Sequence, residues 1–501
     1  MAKITQDDLN KTLWSAADSS RGAVDSSVFK DYILSLLFYK YMSDLYEIEY
    51  KKLKVQYGNK EDRIELKLQN LRFVMPKGTT FREIYSCQSE SNIGELLNIA
   101  LRKIEEANET LKGIFTVDFN NENILGPTSQ RTKMVRDLLN DFNKIDLTEV
   151  GDDILGNAYM YMIEKFGATA GKKAGEFFTP KQICKLVAKL SNPKPGDKIC
   201  DPTCGSAGLL ITAGNEVREN GSTDYALFGQ EKTGTTYNLA RMNMFLHKQD
   251  SARLEWGDTL NEPKLVDANG LIKFDVIVAN PPFSLDKWAD DGKITNDKYS
   301  RFHRGMPPAS KGDYAFITHM VETSKAKKGR IAVVVPHGVL FRGSSEGRIR
   351  KAFIEENILD AVIGLPAGLF QTTGIPVAIL VFDRSREKGG ANENRKDILF
   401  IDASREFIAG KNQNTLSDEH ITKIVDTYKY YREIEKYSHL ATIDEIMEND
   451  YNLNIPRYVD TYEEEAQINL HSIHNEIKRT EEDIENLEQK MIKYLKELDL
   501  E

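Results

Sequence analysis

The chain is poor in cysteine, with four in 501 residues (Cys87, Cys184, Cys200 and Cys204), and so few exclude a disulfide framework. Cys200 and Cys204 are close enough to suggest a metal pair. No Cys/His cluster with zinc spacing accompanies them, and they read as a strand end and a small residue in a tight turn. Long apolar runs are missing as well. No stretch approaches the length of a membrane span, and the start, Met1-Ala2-Lys3-Ile4-Thr5-Gln6, lacks the apolar segment of a signal peptide. A cytosolic protein is expected, without membrane partners. An excess of positive charge is also absent: 67 Lys and Arg against 77 Asp and Glu leave a formal net charge of −10. A protein that grips DNA alone usually carries a basic surface, because phosphate contacts dominate affinity. Either nucleic acid is not a ligand, or local basic clusters and a partner provide the grip. Such clusters occur at Arg301, His303 and Arg304, at Lys325, Lys327, Lys328 and Arg330, and at Arg342, Arg348, Arg350 and Lys351. Solvated helix faces explain any one of them equally well. Finally, there is no G-x-x-x-x-G-K-[ST] and no G-x-G-x-x-G, which argues against a Walker-type ATP site and against a redox dinucleotide enzyme.

Hydrophobic content is 40% and charged content 29%, which suits a globular chain long enough for two or three domains. Residues 1–150 read as a helical region, with apolar residues at helical spacing over Phe29–Tyr50, Ile93–Ile114 and Arg131–Phe142. Asp152–Phe166 adds a further amphipathic helix. From about Gly167 the texture changes to short apolar runs alternating with helical patterns, the sign of βαβ units and a parallel sheet. Candidate strands are Lys198–Asp201, Ala226–Gln230, Arg253–Trp256, Phe274–Ala279, Arg330–Val335, Asp360–Leu365 and Val377–Asp383, with Ile398–Ile401 as a candidate edge strand. The expected fold is α/β, a seven-stranded, mostly parallel, doubly wound sheet over residues 151–405, followed by a helical extension over 406–462. Ser284–Lys311 is a long polar loop, of the kind that serves as a lid or binding segment. Residues 463–501 form a charged helical tail. In it Leu470, Ile473, Ile477, Ile484, Leu487, Met491, Tyr494 and Leu498 follow alternating steps of three and four, with Thr480 filling the one polar place, a heptad seam. The seam is narrow and the other faces are charged, which favours a partner helix over packing on its own domain.

Five segments carry chemistry. Asn280-Pro281-Pro282-Phe283 directly follows the apolar run Phe274–Ala279, and the prolines end that strand because they cannot donate to the ladder. Ligands of open α/β sheets sit just beyond the carboxyl ends of strands. An amide, a freed carbonyl and an aromatic ring at such an end can hold a planar amine. Asp201-Pro202-Thr203-Cys204-Gly205-Ser206-Ala207-Gly208 leaves the first strand and opens a helix at Leu209. Gly205 and Gly208 permit a tight turn and close approach of a ligand. Asp201 places a carboxylate there, which suits a zwitterionic amino-acid group better than a pyrophosphate. Glu231 ends the next strand, where an acid can accept both ribose hydroxyls, and Asp258 ends the third, where it can accept from an adenine amine. Each acid alone also reads as a cap or a solvated loop residue. Gly175-Glu176-Phe177-Phe178-Thr179-Pro180 precedes the first strand. Thr179 fits an N-cap with Pro180 at the first helical position, and the aromatic pair could wall a pocket.

In this order the five segments resemble amino-methyltransferases that make N6-methyladenine in DNA, and more fully the modification subunit of type I restriction–modification systems. The likeness extends over nearly the whole chain. It includes Gly364-Leu365-Pro366, Phe370, Thr373-Gly374-Ile375-Pro376 and Asn452-Leu453-Asn454-Ile455-Pro456-Arg457-Tyr458. Ser206-Ala207 depart from the pattern, standing where glycines are frequent. The resemblance implies a class I, Rossmann-like methyltransferase sheet and S-adenosyl-L-methionine as cofactor. It implies catalysis by Asn280, Pro281, Pro282 and Phe283. Cofactor contacts would fall to Glu176, Phe177, Phe178, Thr179, Pro180, Lys181, Asp201, Thr203, Gly205, Ser206, Ala207, Gly208, Glu231 and Asp258. Implied partners are double-stranded DNA, a specificity subunit that reads sequence and carries two copies of this chain, and optionally an ATP-driven restriction subunit. A glutamine methyltransferase and a catalytically silent cofactor-binding scaffold are the competing readings.

Overall fold

The computed structural model describes residues 5–19, 26–145, 147, 152–169, 178–289, 297–370, 374–461, 470–498 and 500. Two units emerge, Met1–Val459 and Asp460–Glu501.

The strands of the first unit are labelled here in chain order. Those of the large sheet are β1 (Asp197–Asp201), β2 (Tyr225–Glu231), β3 (Arg253–Trp256), β4 (Val276–Ala279), β5 (Arg330–Pro336), β6 (Leu359–Gly364), β7 (Val377–Asp383), β8 (Ile398–Asp402) and β9 (Ser438–Ala441), beside a separate pair of two-residue strands, Val266–Asp267 with Gly270–Leu271. The large sheet has the spatial order β9-β8-β6-β7-β5-β4-β1-β2-β3. Pairing is parallel except that β7 runs antiparallel to both β5 and β6, and β9 antiparallel to β8. Seven strands were expected and nine form the sheet. Ile398–Asp402 joins it beside β6. Residues 406–462 are not wholly helical, because Ser438–Ala441 closes the edge through register pairs such as Leu399 with Leu440. That four-residue strand is half polar and carries no periodic signal of its own.

Both faces of the sheet are buried, as parallel strands require. Period-2 alternation divides the strand residues between two cores. Ile277, Ala279, Ile331, Val333 and Val335 face the core that includes helix Asp313–Thr323 and helix Ser344–Glu355. Val276, Val278, Ala332 and Val334 face the core formed with helix Lys181–Ser191, helix Gly208–Glu219 and helix Asp418–Lys429. Residues 274 and 275 fall outside β4. The Phe274 amide bonds the Thr323 carbonyl at 2.8 Å, and Asp275 is buried as the acceptor of Lys325 and Lys328.

The N-terminal region is helical as expected, with a long helix Ser26–Tyr57 at its centre. The expected helix Ile93–Ile114 stops at Ala107. Asn108 ends it by exchanging amide hydrogen bonds with the Val74 backbone at 2.7 and 2.8 Å. This region shares its core with one face of helix Gly234–Leu246, through Leu239, Met242, Phe245 and Leu246. The rings of Phe38 and Phe245 meet edge-on at 5.3 Å, and Arg72 bonds the Phe245 carbonyl and Asp250.

Among the described residues, the second unit contains one helix, Leu470–Glu497. Its seam residues Ile477, Ile484, Leu487, Met491 and Tyr494 are each at least 50% exposed.

Candidate active site at the carboxyl edge of the sheet

β1 and β4 are adjacent and parallel, so the turns that follow them meet at one edge. There Phe178, Thr179, Asp201, Thr203, Gly205, Ser206, Gly208 and Asn280 line a single cleft, together with Cys204 and Leu209. Eight residues expected from sequence are thereby brought together. Cys204 and Leu209 were not anticipated, since neither type signals ligand chemistry.

The turn after β1 is held by its own polar groups. Thr203 donates its amide to Asp201 Oδ1 at 2.9 Å, and Gly205 donates its amide to Glu231 Oε2 at 3.1 Å. Glu231 Oε1 accepts the Thr233 amide at 2.7 Å. The carboxylate at the end of β2 thus ties the glycine turn to its own strand. Ala207 adopts φ +67° as the N-cap of the following helix, which begins at Gly208, one residue earlier than expected. A left-handed alanine is strained by ~1–2 kcal/mol. Space explains the glycine that follows it: a Cβ on Gly208 would meet Met160 Cε at 3.0 Å.

Burial pushes the Asp201 carboxyl up to about 7, against the Thr203 amide that lowers it and with neighbouring Glu231 raising it further. Burial also raises Glu231, partly offset by the Thr233 and Gly205 amides. Asp258 behaves differently. Its burial is outweighed by Lys232 and by the Asn261 amide and side chain, which hold it below the usual carboxylate range. Its Oδ1 accepts from the Leu260 and Asn261 amides, and Lys232 Nζ lies 2.8 Å from Oδ2. Asp258 is therefore a well-satisfied turn cap that does not line the cleft. Neither do Pro180, Lys181, Ala207 and Glu231, although Glu231 reaches the cleft through the Gly205 amide. Glu176 and Phe177 lie outside the described residues.

Asn280 ends β4 with its side chain across the cleft. Its Nδ2 donates to Thr179 Oγ1 at 3.0 Å, and its buried Oδ1 has no hydrogen-bond partner among the described residues. A buried acceptor without a donor is uncommon and destabilising. Thr179 is not the N-cap expected of it. Pro180 takes that place, its carbonyl accepting the Ile183 and Cys184 amides, which leaves the Thr179 hydroxyl to face Asn280. Pro281 is buried, and the half-buried Phe283 packs edge-on against Phe370, ring centres 6.0 Å apart. Phe370 belongs to the segment after β6, which explains its place in the motif order. The loop after Phe283 is anchored where it is described. Trp288 is 2% exposed and bonds the Pro308 carbonyl, and Arg301 is buried against Asp297 and the Thr259 and Leu260 carbonyls.

A carboxyl raised by burial, Asp201, and the amide of Asn280 thus line one cleft at the strand ends. Residues 150–467 match the N-6 DNA methylase family, and residues 9–142 match the HsdM N-terminal domain. The chain belongs to the N-6 DNA methylase family. It is 32% identical to the type I restriction enzyme MpnII methylase subunit of Mycoplasma pneumoniae, over 94% of this chain and 92% of that one. It is 32% identical to the MjaVIII methylase subunit of Methanocaldococcus jannaschii, over 95% of this chain and 82% of that one. Among solved structures, the type I restriction–modification methyltransferase subunit from Streptococcus thermophilus superimposes with a TM-score of 0.81. It has 36% identity and covers 91% of this chain and 100% of its own. This N-6 DNA methylase is thus the modification subunit of a type I restriction–modification system. It transfers a methyl group from S-adenosyl-L-methionine to the N6 amine of adenine in DNA. The Mycoplasma and Methanocaldococcus relatives are both subunits of type I restriction enzymes. The glutamine-methyltransferase and silent-scaffold readings are not favoured.

The residues present fit the cofactor. Asp201, pushed up to about 7, gains most from a cationic ammonium or sulfonium group. The left-handed Gly205 (φ +53°) lets a ligand approach the backbone. The basic clusters fit DNA less well than their sequence suggests. Arg304 pairs with Glu322 and Glu356, Lys325 and Lys328 with Asp275, Arg330 with Asp383, and Arg342 with Asp313 and Glu346. Most of that charge is neutralised within the fold. Among the described residues, no helix is long and apolar enough to cross a membrane.

Proposed function

We propose that Asn280 Oδ1 and the Pro281 carbonyl accept the two N6 hydrogens of the target adenine. The exocyclic amine is a poor nucleophile because its lone pair is delocalised into the ring. Two acceptors in fixed positions draw the nitrogen toward tetrahedral geometry and aim its lone pair along the transfer axis. The gain is positioning and electrostatics rather than proton abstraction. When bound, S-adenosyl-L-methionine supplies the activated methyl group. Asp201 holds the charged amino-acid end of the cofactor and Glu231 the ribose hydroxyls. Thr203, Gly205, Ser206 and Gly208 contribute the turn around it, and Phe178 and Thr179 the opposite wall. Asp258 approaches the adenine ring of the cofactor only if Lys232 and Asn261 release it. Phe283 stacks on the flipped target base, since the amine is unreachable inside the duplex. The observation that carries the reading is the buried Asn280 Oδ1, without a partner among the described residues, beside an amide nitrogen already committed to Thr179. Asn280→Ala should lower methyl transfer by roughly a hundred- to a thousandfold and leave equilibrium cofactor binding nearly intact. Retained turnover would sink the assignment.

The same reading extends to assembly. Two copies of this chain would join one specificity subunit in the cytoplasm, with a restriction subunit as a further partner. The division proposed is a helical domain over 1–150, a methyltransferase domain over 151–405, an extension over 406–462 and a docking helix over 463–501. The exposed seam of Leu470–Glu497 is the candidate contact with helices of the specificity subunit. Removing the residues after Tyr462 should preserve cofactor binding and abolish co-purification with that subunit. Continued co-purification would assign the docking surface elsewhere.

A further inference from the structure

The catalytic turn is braced from outside the cleft, by a residue that none of the motifs contains. Ser284, next to Phe283, is left-handed at φ +50°. Its amide donates to Asp313 Oδ1 at 2.8 Å, and its hydroxyl lies 3.4 Å from Oδ2. Asp313 is 3% exposed and opens helix Asp313–Thr323. Its Oδ2 also accepts from Arg342 at 2.6 Å. Arg342 Nε in turn lies 2.9 Å from Glu346 Oε2, and the second oxygen of Glu346, a residue only 3% exposed, has no partner among the described residues. Burial raises the Glu346 carboxyl above its ordinary value, with Arg342 lowering it. A second staple closes the loop beside this network, the Gly312 amide donating to the Leu285 carbonyl at 2.9 Å. Asp313, Arg342 and Glu346 are absent from the cofactor cleft.

We infer that Asp313 is a positioning residue for methyl transfer, fixing the exit of the Asn280–Phe283 turn through the Ser284 amide, with Arg342 holding the carboxylate in place. The inference rests on the assignment of Asn280 and Phe283 to the target base. Residue 284 is not a glycine, so its left-handed backbone persists only while the surroundings over-determine it. Asp313 provides that constraint. Without it the turn relaxes toward ordinary backbone angles. The Phe283 ring then moves relative to the base, and the Pro281 carbonyl moves relative to N6. The cofactor wall of the cleft is built from the other strand ends and is untouched.

The test uses the assembled complex, a duplex carrying its target site, and Asp313→Ala beside Asp313→Asn. Asp313→Ala should lower kcat roughly a hundredfold, the scale of an ångström-level misplacement, with the cofactor Kd within about twofold of wild type. Asp313→Asn retains an acceptor for the Ser284 amide and should recover at least about tenfold of that loss, as hydrogen bonding to the neutral amide predicts. With 2-aminopurine in place of the target adenine, the wild type quenches the flipped base by stacking, whereas Asp313→Ala leaves it brighter. Wild-type kcat in Asp313→Ala overturns the proposal, and so does a loss matched by an equal loss of cofactor affinity. If Asp313→Ala does not fold, Asp313→Asn carries the test, because an unchanged 2-aminopurine signal with a large loss of kcat overturns the positioning role. An inactive Asn280→Ala beside a normal Asp313→Ala rejects this inference alone. An active Asn280→Ala rejects the assignment beneath it.

Discussion

Two halves of one cleft handle their polar groups in opposite ways. At the ends of β1 and β2, Asp201 and Glu231 take backbone amides of the turns beside them, from Thr203, Gly205 and Thr233. At the end of β4, Asn280 uses its amide nitrogen on Thr179 and leaves Oδ1 buried without a donor among the described residues. The first half is tied together by its own hydrogen bonds. The second keeps an acceptor that, in the proposed reading, a substrate donor completes. A cofactor that must be exchanged every turnover suits the former. A transition state that must be stabilised more than its ground state suits the latter.

The sharpest way to break this comparison is at its open end. Asn280→Ala should reduce kcat by two to three orders of magnitude with little change in cofactor Kd, measured by single-turnover methylation and calorimetry. The complementary change, Glu231→Ala, leaves the Gly205 and Thr233 amides without their acceptor. Each orphaned buried donor costs about 1–3 kcal/mol, so cofactor affinity should drop at least tenfold and thermal stability should fall, while kcat at saturating cofactor is largely retained. If Glu231→Ala instead removes kcat and spares affinity, the division of labour is wrong.

Acidity provides a gentler test. The Asp201 carboxyl of the cofactor-free protein is raised to about 7 by burial, so below that pH it carries a proton. A cationic ligand prefers the carboxylate. Cofactor affinity should therefore fall as pH drops below about 7, by up to tenfold per unit, and binding should release protons near neutrality. The stability sign is the reverse. The folded-state value lies above the unfolded one, so this group's contribution is full below about pH 4 and is lost as pH rises through about 7. Asp201→Asn should flatten both profiles, read by calorimetry and by melting curves in the absence of cofactor. The smallest expected effect is at Ala207, left-handed and fully buried. Replacing it with glycine relieves ~1–2 kcal/mol of strain but forfeits a buried methyl of ~0.8 kcal/mol and loosens the unfolded chain by ~0.4–1 kcal/mol. The terms nearly cancel, and the melting temperature should move by only a few degrees.

Much of this site is legible along the chain because each half is local. A strand, an abrupt polar end and a tight turn form a contiguous signature, and Asp201–Gly208 and Asn280–Phe283 both have it. The expected strands up to β8 are each present to within two residues at either end, most of them because their apolar runs are long enough to outweigh local alternatives; β3, with two charged residues in four, is the exception. What escaped has no local signal. β9 is four residues, two of them polar, and exists because the edge of β8 would otherwise be unpaired. Thr179 reads as a helix cap by its neighbours, yet its hydroxyl meets an amide 101 positions away. Asp313 reads as an acid in the first turn of a helix, yet it holds a turn 29 positions earlier. Basic clusters that suggest a DNA surface are mostly matched to acids brought in by helices, strand ends and loops.

Sequence alone determined the chemistry: an acidic chain without phosphate-loop motifs, a carboxylate and glycine turn for a zwitterionic methyl donor, and an amide-proline turn for a planar amine. Residue types and their order suffice for that, because each candidate group lies in a contiguous segment at a strand end, Asp201 at β1, Glu231 at β2 and Asn280 after β4. Tertiary structure alone decided how those groups are aimed. The strand order places β4 beside β1, which brings Thr179 to Asn280. Helix Asp313–Thr323 packs behind the catalytic turn, which brings Asp313 to Ser284. Hydrogen bonds between such distant positions depend on which elements become neighbours, and no periodicity along the chain encodes that.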